Sequence, residues 1–242
     1  VVAAATPALH AAALELLRAP VGPVSVIKPH LRSAEPYKPP LDGRSSERHL
    51  LLDSNERTLP PPAHVSGAIV DYVTQQSLSV YPAYGDLDEL IARYAGIPAE
   101  HCMFTNGSDQ AIDLIIRCCC AAGTEAILPS PTFAMYEQSA TAENLVIRRP
   151  MFTREAGFPT EGVLAAISPR TSLIILCNPN NPTGTEIPKA DMLAIALAAP
   201  HAAILVDECY YEFMPEGTTM AHEVASLPNV FVTRTFSKTW GI

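Results

Sequence analysis

The feature of this 242-residue sequence that most restricts its fold is the alternation, after residue 50, of short apolar runs with helical patterns. Six apolar runs are predicted as strands: His101–Phe104, Ala126–Leu128, Leu145–Arg148, Leu173–Cys177, Ala202–Val206 and Val230–Thr233. Six segments are predicted as helices: Val65–Val73, Asp86–Tyr94, Ser108–Ala121, Phe133–Thr141, Val163–Ile167 and Pro188–Ala198. Strands that alternate with helices predict an α/β fold with a mostly parallel sheet covered on both faces.

The first part of the chain has a different character. Residues 9–17 carry a short helical pattern, and a Pro-rich stretch follows up to Pro40. Because each proline disfavours helix in the residue before it, that stretch is predicted to be extended or looped. We therefore predict two regions, an amino-terminal arm with a Pro-rich extension over residues 1–49 and a ligand-binding large domain over residues 50–242.

Composition and charge exclude several classes of protein. With 48% hydrophobic and 17% charged residues the chain is globular, and its formal charge of −9 argues against nucleic acid or an anionic membrane as a partner. No apolar run approaches the roughly 20 residues of a membrane span. The six cysteines have neither disulfide-framework nor zinc-site spacing, so no metal is predicted. They are expected as free thiols in a reducing compartment, the cytoplasm or an organellar stroma.

Polar segments follow the predicted strands at the points where the strands end. They are Asn106–Asp109, Asn178–Gly184, Asp207–Tyr210 and Ser237–Lys238. In sheets of this kind ligands bind at the carboxyl ends of the strands. We therefore expect the four segments to converge on one edge of the sheet.

Asp207 closes one apolar run and Lys238 follows the next. An enzyme that uses pyridoxal phosphate requires such a pair, because a lysine amine can form a Schiff base with the cofactor aldehyde. The carboxylate can keep the pyridine nitrogen protonated, so that the ring withdraws electrons. The simpler alternatives are that Asp207 caps the next helix and that Lys238 is an ordinary exposed lysine.

Donors for the phenolic oxygen of such a ring lie in two of the polar segments. The Asn181 amide and the Tyr210 hydroxyl are the candidates. Asn181 lies in a turn rich in Asn and Pro, so ordinary turn chemistry is its alternative, and Tyr210 could simply pack. The Asn181-Pro182 bond is a candidate cis peptide.

A phosphate site is predicted where Gly107, Ser108 and Asp109 open a helix. The free N–H groups and the dipole of a helix N-terminus favour an anion, and a glycine there lets the ligand approach the backbone closely. The hydroxyls of Thr235 and Ser237 could donate to the same phosphate. The alternative is that Ser108 acts only as an N-cap.

Six segments together resemble the fold type I aminotransferases, and within that group the histidinol-phosphate aminotransferases. They are Tyr81–Tyr84, Asn106–Asp109, Pro131–Tyr136, Cys177–Gly184, Asp207–Phe213 and Arg234–Lys238. The similarity runs from about Leu50 to the last residue. It implies a three-layer aminotransferase large domain, pyridoxal 5′-phosphate as the cofactor and a homodimer.

Carried over residue by residue, the resemblance implies that Lys238 binds the cofactor covalently and that Asp207 pairs with its pyridine nitrogen. Phe133 would stack on the ring, where relatives usually have tyrosine, and Asn55-Glu56 resembles a family Asn-Glu pair. The implied cofactor-binding set is Gly107, Ser108, Asp109, Phe133, Asn181, Asp207, Tyr210, Thr235, Ser237, Lys238 and, reaching in from the partner subunit, Tyr81.

The implied reaction converts L-histidinol phosphate and 2-oxoglutarate to imidazole acetol phosphate and L-glutamate, in histidine biosynthesis. The substrate would be a small anionic amino acid or amino-alcohol phosphate. Three alternatives stay open: a threonine-phosphate decarboxylase, an aromatic aminotransferase and an inactive fragment that retains the fold. A nucleotide-binding domain is disfavoured, since no Gly-x-Gly-x-x-Gly or Walker-type run is present. Relatives continue past the lysine into a small domain, so we expect this large domain to be incomplete after Ile242.

Overall fold

The computed structural model describes residues 26–34, 42–75 and 78–242. The chain divides between Pro36 and Tyr37 into two units. The described residues of the first unit contain one 3₁₀-helix, Pro29–Leu31. The predicted helix over residues 9–17 and most of the Pro-rich stretch lie outside the described residues, and the domain boundary after residue 49 stays a prediction.

Five strands form one fully parallel sheet in the second unit, in the order β2-β1-β3-β4-β5. Their bounds are β1 Glu125–Ile127, β2 Val146–Arg148, β3 Thr171–Cys177, β4 Ala203–Asp207 and β5 Val230–Thr233. Asp207 lies opposite Cys177 on one side and Thr233 on the other. The carboxyl ends of β3, β4 and β5 are therefore side by side.

Six α-helices overlap the six predicted helical segments. Their bounds are α1 Ala63–Gln75, α2 Leu87–Ala95, α3 Gly107–Cys119, α4 Ala134–Ala142, α5 Thr160–Ala166 and α6 Lys189–Ala198. Helix α2 ends at Gly96, whose left-handed backbone (φ 71°) lets its N–H bond the carbonyls of Ala92 and Arg93. Among the helices of the described residues, none is long and apolar enough to cross a membrane.

The alternation of side chains along β3 divides the core into two clusters, one on each face of the sheet. Leu173 and Ile175 belong to the cluster that includes buried residues of α3 and α4. Ile174 and Leu176 belong to the cluster that includes buried residues of α5 and α6. Helices thus cover both faces, which confirms the predicted three-layer α/β fold.

One predicted strand, His101–Phe104, is wrong. His101 ends a short 3₁₀-helix, Ala99–His101, and Cys102 has extended backbone (φ −113°, ψ 138°) without belonging to any strand of the described sheet. An extended apolar run becomes a strand only where a neighbouring strand supplies ladder hydrogen bonds. Within the described residues this segment has no such neighbour.

Candidate active site

Asp207, the last residue of β4, is fixed by three donors. Its Oδ2 accepts a hydrogen bond of 2.6 Å from the Tyr136 hydroxyl. Its Oδ1 accepts from the backbone N–H of Cys209 and from Oγ1 of Thr233, both at 3.1 Å. The side chain is buried, with 2% of its surface exposed. The next helical turn has Tyr210 at its N-cap, so Asp207 does not serve as the cap considered above.

Glu208, the neighbour of Asp207, has a structural role. Its buried carboxylate accepts hydrogen bonds from Thr219 and from the backbone of Met220, and it forms an ion pair of 2.9 Å with Arg234. Arg234 follows β5 and also lies over the Tyr211 ring at 3.8 Å. This network ties the end of β4 to the end of β5.

Lys238 lies in a cleft of about 770 Å³, which Asn181 and Tyr210 also line. Its Nζ donates a 2.9 Å hydrogen bond to the carbonyl of Ser54. The Tyr210 hydroxyl accepts a 3.0 Å hydrogen bond from Nδ2 of Asn55. Burial raises the pKa of Tyr210, although the bond from Asn55 acts in the opposite direction. Three predicted site residues are thus brought together in one cleft.

The Asn-rich loop after β3 contains asparagines that stabilise the turn and one asparagine that lines the cleft. Asn178 and Asn180 build the turn: Oδ1 of Asn178 accepts from the backbone of Ile187, and Asn180 bonds Thr132 and the carbonyl of Pro131. Asn181 instead lines the cleft. The Asn181-Pro182 bond is cis, as predicted.

The start of α3 offers an open approach to the backbone. Gly107 has a left-handed backbone (φ +72°), and a Cβ at this position would meet no atom within 4 Å. The N-cap is Asn106, which makes no side-chain capping bond, so Ser108 lies in the first turn and is not the cap. The Ser108 hydroxyl accepts from the Cys209 thiol at 3.5 Å, because burial and the charge of Asp207 raise the thiol pKa and keep it protonated.

The carboxyl group of Asp109, at this helix start, is influenced by the charges of both Asp207 and Lys238. Desolvation, and then the charge of Asp207, raise the pKa of its carboxyl group, whereas the charge of Lys238 lowers it. The remaining phosphate candidates, Thr235 and Ser237, bond each other through their hydroxyls at 3.0 Å just before the lysine. Within the described residues, no group of His, Cys, Asp and Glu could hold a metal ion.

Tyr136 is a residue of the candidate site that sequence reasoning did not select. It is fully buried, donates to Asp207 and packs edge to face against Phe133, with ring centroids 5.5 Å apart. Its spacing of three residues from Phe133, one helical turn, could have placed it on the same side of α4. Phe133 lies outside the cleft lining, and Tyr81 does too, with 98% of its surface exposed.

Comparison with known proteins shows the family to which the chain belongs. The family described as aminotransferase class I and II matches residues 47–242. A histidinol-phosphate aminotransferase of Desulfitobacterium hafniense (strain Y51) is 34% identical over 221 residues, which are 88% of this chain and 59% of the relative. The chain therefore spans about three fifths of the length of that curated relative.

Two solved structures are similar to this chain in fold. A histidinol-phosphate aminotransferase from Sinorhizobium meliloti in complex with pyridoxal 5′-phosphate has a TM-score of 0.70 and 25% identity, covering 78% of this chain and 52% of its own. An L-threonine-O-3-phosphate decarboxylase from Porphyromonas gingivalis has a TM-score of 0.63 and 20% identity, covering 76% and 57%. The matches confirm the predicted fold and resemblance, and they support the predicted cofactor. The roles of single residues stay predictions.

Proposed function

Since this chain belongs to the class I and II aminotransferase family, we propose that it acts as a pyridoxal-phosphate-dependent transaminase. Its proposed substrates are L-histidinol phosphate and 2-oxoglutarate, in histidine biosynthesis. One observation carries the proposal: β4 ends at a fixed, buried carboxylate, Asp207, beside the strand that leads to Lys238. Adjacent carboxyl ends of parallel strands are where α/β enzymes bind their ligands.

The environment of Asp207 fits the cofactor. Its three hydrogen-bond donors, from Tyr136, Thr233 and Cys209, are all neutral, and no cation among the described residues forms an ion pair with it. A buried carboxylate usually has a cationic partner, because burying an unpaired charge costs free energy. A protonated pyridine nitrogen would supply that partner. When bound, pyridoxal phosphate supplies an aromatic ring that withdraws electrons from the substrate carbon.

Other residues of the chain would orient the cofactor. Asn181 and Tyr210 would bind its phenolic oxygen, and Phe133 would stack on the ring. The open backbone at Gly107 would receive the phosphate. The hydroxyls of Ser108, Thr235 and Ser237 would donate to that phosphate as well, with Asp109 beside them.

Lys238 would carry the covalent attachment and the proton. Its amine would remove the proton from the substrate α-carbon and later return a proton from its Nζ. Among the described residues, its one hydrogen bond goes to the carbonyl of Ser54. Within the described residues, the amine is therefore held by a single main-chain contact.

The named relatives support histidinol phosphate as the substrate, since one is 34% identical over most of this chain. A threonine-phosphate decarboxylase and an aromatic aminotransferase would use the same cofactor residues. An inactive chain that retains the fold is the fourth possibility. Because one fold hosts several reactions, the substrate has to be decided by assay.

The cofactor is tested by visible absorbance. We expect the purified chain, mixed with pyridoxal phosphate and dialysed, to keep an absorbance band that Lys238→Ala loses. Lys189→Ala is the control, because this lysine pairs with Glu223 on another part of the surface and should keep the band. A colourless chain, or a band that survives Lys238→Ala, favours the inactive chain.

The substrate is tested by measuring glutamate formed from L-histidinol phosphate and 2-oxoglutarate. We expect turnover by the loaded protein, lost in Lys238→Ala. Turnover on aromatic amino acids alone would favour the aromatic aminotransferase. Release of carbon dioxide from threonine phosphate would favour the decarboxylase.

We further propose that the protein is a homodimer to which Tyr81 contributes across the interface. Helix α1 supports this, since it has no buried residue and exposes Val70 and Tyr72 among other apolar side chains. Light scattering would test the dimer, and Tyr81→Ala should lower cofactor affinity only in dimeric protein. The six free cysteines support a reducing compartment, cytoplasm or stroma, which localisation of the tagged protein would test.

A further inference from the structure

Arg57 is a cation in the proposed active-site cleft whose role is not explained by the cofactor. It lines the cleft together with Lys238. Its Nε donates to the carbonyl of Leu59 at 3.1 Å, and its Nη1 donates to the carbonyl of Thr239 at 2.8 Å. Both acceptors are neutral main-chain atoms, so they fix the guanidinium without compensating its charge.

The acidic side chains near Arg57 do not neutralise it. Glu56 accepts a 2.6 Å bond from Arg44, which also pairs with Asp53. Glu186 lines the same cleft, but it forms no ion pair with Arg57 within the part of the chain that the structure describes. In a chain with a formal charge of −9, a positive group that is left unpaired in a cleft is available for an anion.

Close backbone packing holds the arginine in place. Gly241 has a left-handed backbone (φ +70°), and a Cβ there would lie 2.9 Å from Cδ and 3.1 Å from Cβ of Arg57. A residue larger than glycine at 241 would therefore push the arginine stem away. The contact with Thr239, next to Lys238 in sequence, couples the guanidinium position to the lysine segment.

We propose that Arg57 is a specificity-determining residue that binds the distal oxyanion of the substrate, a carboxylate or a phosphate ester. The proposal rests on the proposed function, because it assigns a partner to the substrate of that same cleft. Two donor positions of the planar guanidinium are fixed by carbonyls, and the remaining N–H groups suit an oxyanion. The lysine that would bind the cofactor and the arginine that would bind the distal anion then line one cleft.

Isothermal titration calorimetry with unreactive anions tests this proposal. The chain carrying pyridoxal phosphate is titrated with glutarate, a dicarboxylate, and with propyl phosphate, a phosphate monoester. We expect Arg57→Gln to lower the affinity for the anion that the parent binds by about 30-fold, which is the scale of one charge-assisted hydrogen bond. Arg154→Gln, an exposed arginine outside the cleft, is the matched control and should bind as the parent does. The anion that loses affinity identifies the oxyanion class.

Two more variants separate anion binding from a structural role. Arg57→Lys keeps the charge and should recover part of the affinity, and Gly241→Ala should weaken binding without removing a charge. The visible band of each variant reports whether the Lys238 site is intact. Equal anion affinity in the parent and Arg57→Gln, or no anion binding by the parent, would overturn the proposal. A parent without the band would contradict the proposed function, and the same titrations of the unloaded chain and its Arg57→Gln variant would still decide whether Arg57 binds an anion.

Discussion

The ends of two neighbouring strands hold their functional groups in opposite ways. Asp207, at the end of β4, is buried and is fixed by three donors from three different segments. Lys238, five residues after β5, is partly buried and bonds one main-chain carbonyl. The difference teaches that the end of a buried strand fixes a charged side chain through several donors. Within the described residues, the loop that follows the next strand holds its amine by a single main-chain contact.

The largest effect is expected from Asp207→Asn, which keeps the shape of the side chain and removes its charge. We expect the affinity for pyridoxal phosphate to fall about 30-fold, or about 2 kcal/mol, because a bond to a charged group is replaced by a neutral one. Quenching of the sole tryptophan, Trp240, two residues after Lys238, would measure the dissociation constant. Asp191→Asn, whose carboxylate accepts from Thr160 away from the cleft, is the control. Unchanged affinity in Asp207→Asn would show that the fixed carboxylate does not serve the ring.

A smaller effect is expected from Tyr136→Phe, which removes one of the three donors to Asp207. We expect the free energy of unfolding to fall by about 1.5 kcal/mol, because a buried carboxylate loses a hydrogen bond. Urea denaturation measures this value. Lys238→Ala is the matched contrast and should change it by no more than about 0.5 kcal/mol. An equal decrease in the free energy of unfolding in both variants would mean that the side chains at the two strand ends are held equally firmly. That result would contradict the difference described above.

The fold was largely predictable because buried parallel strands are continuous apolar runs. Val230–Thr233, for example, has the same bounds in the sequence analysis and in the structure. His101–Phe104 has a similar apolar character, but whether it becomes a strand depends on a partner distant in sequence. Local patterns carry no information about such a partner.

The candidate site was predictable where its residues directly follow strands and not where they come from elsewhere. Asp207 and Lys238 are found by their position after apolar runs. Tyr136 acts through a contact that spans 71 residues, and Arg57 is fixed by one that spans 182. Tyr136 lies within a helix and Arg57 within a loop, and the neighbouring sequence of neither residue indicates a role. Only the folded chain shows what these two side chains contact.

The smallest effect is expected from Asp109→Asn, because the charges of Asp207 and Lys238 act on this carboxyl group in opposite directions. Its pKa is raised by desolvation and the charge of Asp207 and lowered by the charge of Lys238, with a net increase. The ionised form is therefore less stable in the folded chain than in the unfolded one. This penalty is present above the folded-state pKa and disappears below the unfolded value of about 3.9.

We therefore expect Asp109→Asn to raise the free energy of unfolding slightly at pH 7, with a gain that shrinks as the pH falls toward about 4. Urea denaturation at several pH values measures this change. Asp113→Asn on the same helix is the control and should give no gain, because Asp113 pairs with Arg117. In a Lys238→Ala background the gain from Asp109→Asn should increase, since the attractive charge is gone. An unchanged gain in that background would mean that the lysine charge does not reach Asp109, and the two strand ends would then act independently.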